Sequence, residues 1–200
     1  MEKFKEIEGG IAAPGGFVAA GINCGIKRGG EKDLALVYSK VPATAAGAFT
    51  TNRVQAAPVK LSRRHITKGQ CQAAIINSGF ANSCTGEQGE RNALRMAQVT
   101  ALALGIKPQL VLVGSTGRIG ELLPVEKIEK GVKTLARIIK RGGNSDAAEA
   151  IMTTDTHSKS LAVEFEVGGG PVKMGGMAKG AGMIYPFLKV AGFNQATMLA

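Results

Sequence analysis

The chain contains no Trp, and aromatic residues make up only 4% of its 200 positions. That leaves no stacking platform of the kind single-strand nucleic-acid binders use. Cysteine is also scarce: Cys24, Cys71 and Cys84 are widely separated, odd in number and form no CxxC pair. Neither a zinc site nor a disulfide framework is supported, so the expectation is three reduced thiols and no metal. No apolar run approaches the roughly 18–20 residues of a membrane span. The opening Met1-Glu2-Lys3-Phe4-Lys5-Glu6 has no apolar core, so no secretory signal is expected. The localisation read from these absences is cytoplasmic.

Positive charge and glycine are abundant. Lys and Arg number 25 against 15 Asp and Glu, a net charge of +10. The basic residues are scattered, with adjacent pairs such as Arg63-Arg64 and Lys140-Arg141. This distribution fits an anionic small molecule or an acidic second subunit better than nucleic acid. Glycine occupies 28 positions, well above the roughly 7% of average proteins. It clusters at Gly9-Gly10, Gly15-Gly16, Gly29-Gly30, Gly142-Gly143, Gly168-Gly169-Gly170 and Gly175-Gly176. Such clusters mark tight turns and places where backbone is approached closely.

The length allows one domain or two small ones, and no fixed-period repeat is visible. Leu34–Tyr38, Ala45–Phe49, Gln72–Asn77 and Leu110–Val113 read as strands. Leu161–Val167 alternates, with Leu161, Val163, Phe165 and Val167 on one face and Ala162, Glu164 and Glu166 on the other. A helix is expected over Glu90–Leu104, ended by Gly105, and another over Pro124–Lys140, ended by Gly142. Ser145 is expected to cap a shorter helix running to Ile151. Without regular βαβ alternation, the order favours an α+β arrangement of mixed sheets layered with helices.

Four stretches stand out. Gly114-Ser115-Thr116-Gly117-Arg118-Ile119-Gly120 follows an apolar strand directly, and a strand ending in a Gly-rich turn exposes N–H groups to a phosphate or a developing oxyanion. Read alone, it is equally well explained as a plain turn. Thr153-Thr154-Asp155-Thr156 sets four hydrogen-bonding side chains in a row before His157; an ordinary capped loop accounts for them too. Lys179 lies amid Met177-Ala178 and Gly180-Ala181-Gly182-Met183-Ile184. It suits either a carboxylate or carbonyl oxygen of a ligand, or a snorkelling lysine at a strand end. Ala196-Thr197 has the form of an N-terminal-nucleophile precursor, in which a Thr hydroxyl attacks its own preceding carbonyl and the freed amine becomes its base.

Taken in order, these motifs resemble the glutamate N-acetyltransferase / ornithine acetyltransferase family across nearly the whole chain. Further matches are Gly15-Gly16-Phe17, Val41-Pro42-Ala43-Thr44-Ala45, Phe49-Thr50-Thr51-Asn52, Ile76-Asn77-Ser78-Gly79 and Ala81-Asn82-Ser83-Cys84-Thr85-Gly86-Glu87-Gln88-Gly89. The resemblance implies an N-terminal-nucleophile fold that is incomplete without a second, β chain. It also implies a precursor about twice this length that cuts itself between Ala196 and Thr197. Residues 1–196 would then be the α chain, and 197–200 the first residues of the β chain. Thr197 would carry the acetyl group from N-acetylornithine, releasing ornithine, and pass it to glutamate. Thr116 and Gly117 match the oxyanion-hole pair; Thr153 and Lys179 match substrate-binding positions, as does Thr197. No resident cofactor is implied, and acetyl-CoA is a second donor in only some members. The implied assembly is an α2β2 heterotetramer.

The sequence departs from the family pattern in three places. Phe80 stands where the family carries a second Asn in its middle motif. Residues 187–195 lengthen the approach from Pro186 to Ala196, and a displacement of about 1 Å at a nucleophile costs about 100-fold. The sequence ends at Ala200, four residues into the implied β chain. Two other readings therefore stand beside the transferase: a related aminopeptidase that passes the acyl group to water, and a non-catalytic subunit.

Overall fold

The computed structural model describes residues 4–140, 142–180, 188–190 and 193–195. In chain order the strands are β1 (Lys5–Glu6), β2 (Phe17–Ile22), β3 (Leu34–Thr44), β4 (Phe49–Thr50), β5 (Gln70–Phe80), β6 (Val111–Arg118), β7 (Lys159–Val167), β8 (Gly170–Ala178), β9 (Leu188–Val190) and β10 (Phe193–Gln195). The α-helices are α1 (Ala57–His65), α2 (Gly86–Leu104), α3 (Val125–Ile138) and α4 (Asn144–Ala150). Among the described residues, no helix is long and apolar enough to cross a membrane.

The central sheet has the order β2-β3-β5-β6. β2, β3 and β5 pair antiparallel, whereas β5 and β6 pair parallel. A parallel pair needs a long crossover, which α2 supplies. Alternation along the strands feeds two cores. On one side Leu34, Leu36, Ile75, Val111 and Val113 pack with Met96 and Ala97 of α2 and with Ile128, Val132 and Leu135 of α3. On the other, Ala19, Ala35 and Ile76 pack with Ala147, Ala148, Ala150 and Ile151 of the α4 segment and with Met177. The second side is built from small residues because α4 lies almost on the backbone. A Cβ on Gly21 would sit 1.9 Å from the Asp146 carbonyl oxygen, and one on Gly143 2.0 Å from that of Ala19.

β6 is the last strand of this sheet, and an open edge invites pairing with other chains. Here α1 covers it. Ser62 Oγ donates to Val113 O and accepts from Val113 N, both at 2.8 Å, and His65 Nδ1 lies 2.8 Å from Val111 O. All four residues are buried. Polar side chains on the inner face of a helix thus take the place of a neighbouring strand.

A second sheet, β1-β7-β8, lies beside α4. Its inner face carries Ala162, 2% exposed, and Met177. Its outer face carries Leu161, Val163, Phe165 and Val167 of β7 and the cross-strand partners Met174 and Val172. Phe4 shares that face by alternation from Glu6, which pairs with Val163. Met174 is 59% and Phe4 69% exposed. The third sheet, β10-β9-β4, is antiparallel, so part of the 187–195 stretch runs as two short paired strands beside Phe49–Thr50.

Several expectations need correction. Ala45–Phe49 is not one strand: β3 runs on to Thr44 and β4 covers only Phe49–Thr50. Small Ala and Gly side chains give that run little to pack on a pleated surface. The second helix starts a turn earlier than expected, at Gly86. The third runs to Ile138 rather than to Lys140, because Lys140 bridges back to Ala19 of β2. Ser145 is not a cap; the position before α4 is Gly143, where the Ala19 carbonyl excludes any side chain. β7 alternates as the sequence implies, and the face turned inward is that of Ala162.

Replacing Ser62 with Ala would leave both polar groups of Val113 without their side-chain partner. Denaturant unfolding should show a loss of about 1–3 kcal/mol. The exposed Thr134→Ala, by contrast, should stay within about 0.5 kcal/mol.

Candidate active site

The parallel pair β5–β6 ends with two glycines side by side, Gly79 opposite Gly117. Both have positive φ, +109° and +131°. A Cβ on Gly117 would lie 2.4 Å from the carbonyl carbon of Gly79, and one on Gly79 2.8 Å from Ile26 Cγ2. The register slips here, so Phe80 faces both Thr116 and Arg118. The Arg118 guanidinium stands over the Phe80 ring at 4.4 Å, a cation–π contact available only because Phe occupies this position. The rest of the motif holds backbone. Asn77, fully buried, accepts from Ser115 Oγ at 2.6 Å and donates to Phe80 O at 2.9 Å; Asn82 donates to Gly89 O at 2.9 Å.

The loop before β3 closes over this end. Buried Asp33 accepts backbone N–H groups of Cys24, Ile26 and Lys27 at 2.7, 2.6 and 3.0 Å. This folds Lys27 back so that its ammonium reaches Lys32 O at 2.8 Å.

Lys179, one residue past β8, is only 5% exposed. Its ammonium donates to Thr116 Oγ1 at 2.8 Å and to Thr153 Oγ1 at 2.6 Å. Three of the residues singled out in the sequence are thereby joined, and Gly117 is next in the strand. Ala196 and Thr197 lie outside the described residues. One local expectation fails: Thr116 and Gly117 are not in a turn, because β6 runs on through Arg118 and the chain bends only afterwards. The backbone is opened by two facing glycines rather than by a loop.

Charge at this point is mixed but mainly positive. Burial pushes the Lys179 ammonium down from its ordinary range; the Asp155 charge works against that, while the Lys27 and Lys159 charges add to it. Asp155 is the residue that sequence reasoning missed. Burial alone would push its carboxyl up, but hydrogen bonds from the Lys159 ammonium and the Gly180 and Thr153 N–H groups outweigh burial and hold it well below the usual carboxylate range. Its signal in the sequence was a lone carboxylate inside a run of hydroxyls. Lys27 gave none, being one of many scattered cations. The arrangement as a whole offers an ammonium, two hydroxyls and a glycine-opened strand end to a small anionic ligand.

The ArgJ family profile matches residues 18–200. The arginine biosynthesis bifunctional protein ArgJ of Symbiobacterium thermophilum is 51% identical over 195 residues, covering 96% of this chain and 47% of that protein. The protein of the same name from Thermosynechococcus vestitus is 49% identical over 201 residues, covering 100% and 46%. This chain thus spans about half the length of the curated relatives it matches. The crystal structure of the Bacillus halodurans ArgJ protein superposes with a TM-score of 0.87 at 40% identity, covering 94% of this chain and all of that one. Mycobacterium tuberculosis ornithine acetyltransferase complexed with ornithine gives 0.86 at 40% identity with the same coverage. The α+β fold expected from the sequence is the fold of these structures.

Gly117→Ala should lower unfolding stability by about 1–3 kcal/mol more than Gly120→Ala, because Gly120 also has positive φ but nothing within 4 Å of its would-be Cβ. Asp155 is held below its ordinary value of 3.8. Its stabilising contribution is therefore present above that value and is lost as pH falls below it. A stability–pH series on Asp155→Asn should show a shallower fall below pH 3.8 than the parent protein.

Proposed function

The chain belongs to the ArgJ family, and from that premise we propose that it is the N-terminal half of an acetyltransferase of arginine biosynthesis, moving acetyl from N-acetyl-L-ornithine to L-glutamate. The observation that carries this reading is the buried Lys179 ammonium bridging Thr116 and Thr153 beside Gly117. An ammonium has three donors, and two of them go to hydroxyls here. The third is suited to the carboxylate shared by ornithine and glutamate, and the cations of Lys27 and Lys159 strengthen the attraction. The ornithine complex of the M. tuberculosis relative supports the same ligand class.

In this reading the Thr197 hydroxyl attacks the Ala196 carbonyl, the acyl group shifts from the Thr197 nitrogen to its oxygen, and water hydrolyses the resulting ester, leaving a carboxylate on Ala196 and a free hydroxyl and amine on Thr197. The α-amine set free then serves as base for that hydroxyl. Thr197 Oγ adds to the acetyl carbonyl of N-acetylornithine, and the tetrahedral oxygen sits against Thr116 and Gly117. One donor there contributes about 2.7–4 kcal/mol. Collapse expels the ornithine amine and leaves an acetyl ester on Thr197. The glutamate amine attacks that ester, and the hydroxyl returns to Thr197. In a bifunctional version, acetyl-CoA loads the same hydroxyl, and no resident cofactor takes part. The pairing of β9 with β10 and β4 favours this reading over a disabled nucleophile, because it takes up the extra residues before Ala196 in regular structure.

The partner in this proposal is the remaining half of the polypeptide, released as a β chain and assembled as α2β2 in the cytoplasm. The apolar outer face of β1-β7-β8 supports such a partner, since contiguous exposed apolar surface marks an interface.

The test is the full-length precursor. Intact mass should show two chains split between Ala196 and Thr197, and double-reciprocal plots for N-acetylornithine and glutamate should be parallel, as ping-pong transfer requires. Thr197→Ala should remain one chain and transfer nothing. A folded two-chain protein that moves no acetyl group between these substrates overturns the proposal; release of acetate or amino acids to water instead would favour the hydrolase.

A further inference from the structure

Asp155 stands outside the chemistry just described, yet it touches both segments that carry it. Its side chain is fully shielded from solvent. Oδ2 accepts the Thr153 N–H at 3.2 Å, and Oδ1 accepts the Gly180 N–H at 2.9 Å and the Lys159 ammonium at 2.9 Å. Thr153 lies just after α4, whereas Gly180 lies just after β8. One carboxylate thus grips the backbone of Thr153 and of the residue next to Lys179, the two residues whose side chains meet at 2.6 Å.

We infer that Asp155 is a positioning residue of the transfer reaction: it clamps the Thr153 loop to the end of β8, so that the Thr153 hydroxyl and Lys179 ammonium meet at Thr116, and it supplies the anion that balances the gathered lysines. The inference rests on the acetyltransferase reading. A plain turn cap would not require the Gly180 contact, which spans 25 residues. A surface ion pair would not require a fully shielded carboxylate, and the half-buried Lys159 partner contributes little by itself. A carboxylate hydrogen-bonded directly to Lys179 would neutralise the ammonium needed for an anionic substrate. Placed one residue away, Asp155 favours the charged form of Lys179 and leaves its donors to the hydroxyls and the ligand. Among the described residues, the charged groups facing Lys179 are Asp155, Lys27 and Lys159.

The test uses the full-length two-chain protein and the pH profile of kcat/KM for N-acetylornithine. Asp155→Asn keeps the shape but turns a donor toward the Thr153 N–H and removes the charge. kcat/KM should fall about 100-fold, as for a site displaced by about 1 Å. The basic limb of the profile should also move to lower pH, because Lys179 keeps its two cationic neighbours and loses its anion. Lys159→Met removes one of those cations and should move the limb the opposite way, to higher pH. Asp155→Glu keeps the charge and should leave the limb near that of the parent protein while lowering kcat/KM. A loss in Asp155→Asn that is uniform across pH, with the limb in place, reveals a merely structural role and overturns the inference, as does unchanged kcat/KM. Should Asp155→Asn not fold, an unmoved limb in Lys159→Met overturns it. A folded parent protein that transfers no acetyl group instead defeats the acetyltransferase reading; the clamp is then judged in a crystal structure of Asp155→Asn, where an intact Thr153–Lys179 contact would refute it.

Discussion

The site depends on one buried ammonium. Lys179 links Thr116, 63 residues before it, with Thr153, 26 residues before it. It therefore ties the end of the central sheet to the loop after α4 and to the end of the second sheet. Burying an ammonium without a hydrogen-bonded counter-charge costs several kcal/mol, and hydroxyls return only part of that. Such a group is held for what it can bind. The same logic explains why the nearest anion is one residue removed and pinned in place by backbone donors.

The central sheet sets where this can happen. Parallel pairing of β5 with β6 brings Asn77, Ser78 and Gly79 level with Ser115, Thr116 and Gly117. The polar ends of both strands then emerge together at one edge of the layer. Asn77 and Ser115 hydrogen-bond to each other there, and the two glycines let the chains approach more closely than any side chain would allow. α1 closes the outer side of β6, and the loop pinned by Asp33 closes the Gly79 side. The strand ends that carry the site are thus held from both sides by other segments of the chain.

Much of this was legible in the residues. The apolar run Leu110–Val113 and Ile128, Val132 and Leu135 at helical spacing on α3 follow from burial, and the alternation of β7 follows from the pleat of a strand. Thr116, Gly117, Thr153 and Lys179 were legible as ordered motifs, and the structure brings them together. What stayed hidden depends on contacts between distant segments. Gly143 rather than Ser145 begins α4 because of a carbonyl on β2, more than 120 residues earlier. Asp155 looks like one polar residue among four until Gly180 arrives from another sheet. Gly117 looks like a turn glycine until Gly79 is set against it. Local pattern carries the elements and their buried faces; only the assembled fold shows which backbone atoms are approached and which side chains reach across.

The second sheet connects the site to assembly. β8 carries Met177 toward the core beside α4 and Met174 toward the open outer face, and it leads directly into Lys179. Among the described residues, only the inner face of this sheet is packed. A strand covered on one face is held by one core. The same hairpin therefore carries an uncovered apolar face and, just past its end, the buried ammonium, so the path of β8 sets where Lys179 meets Thr116 and Thr153.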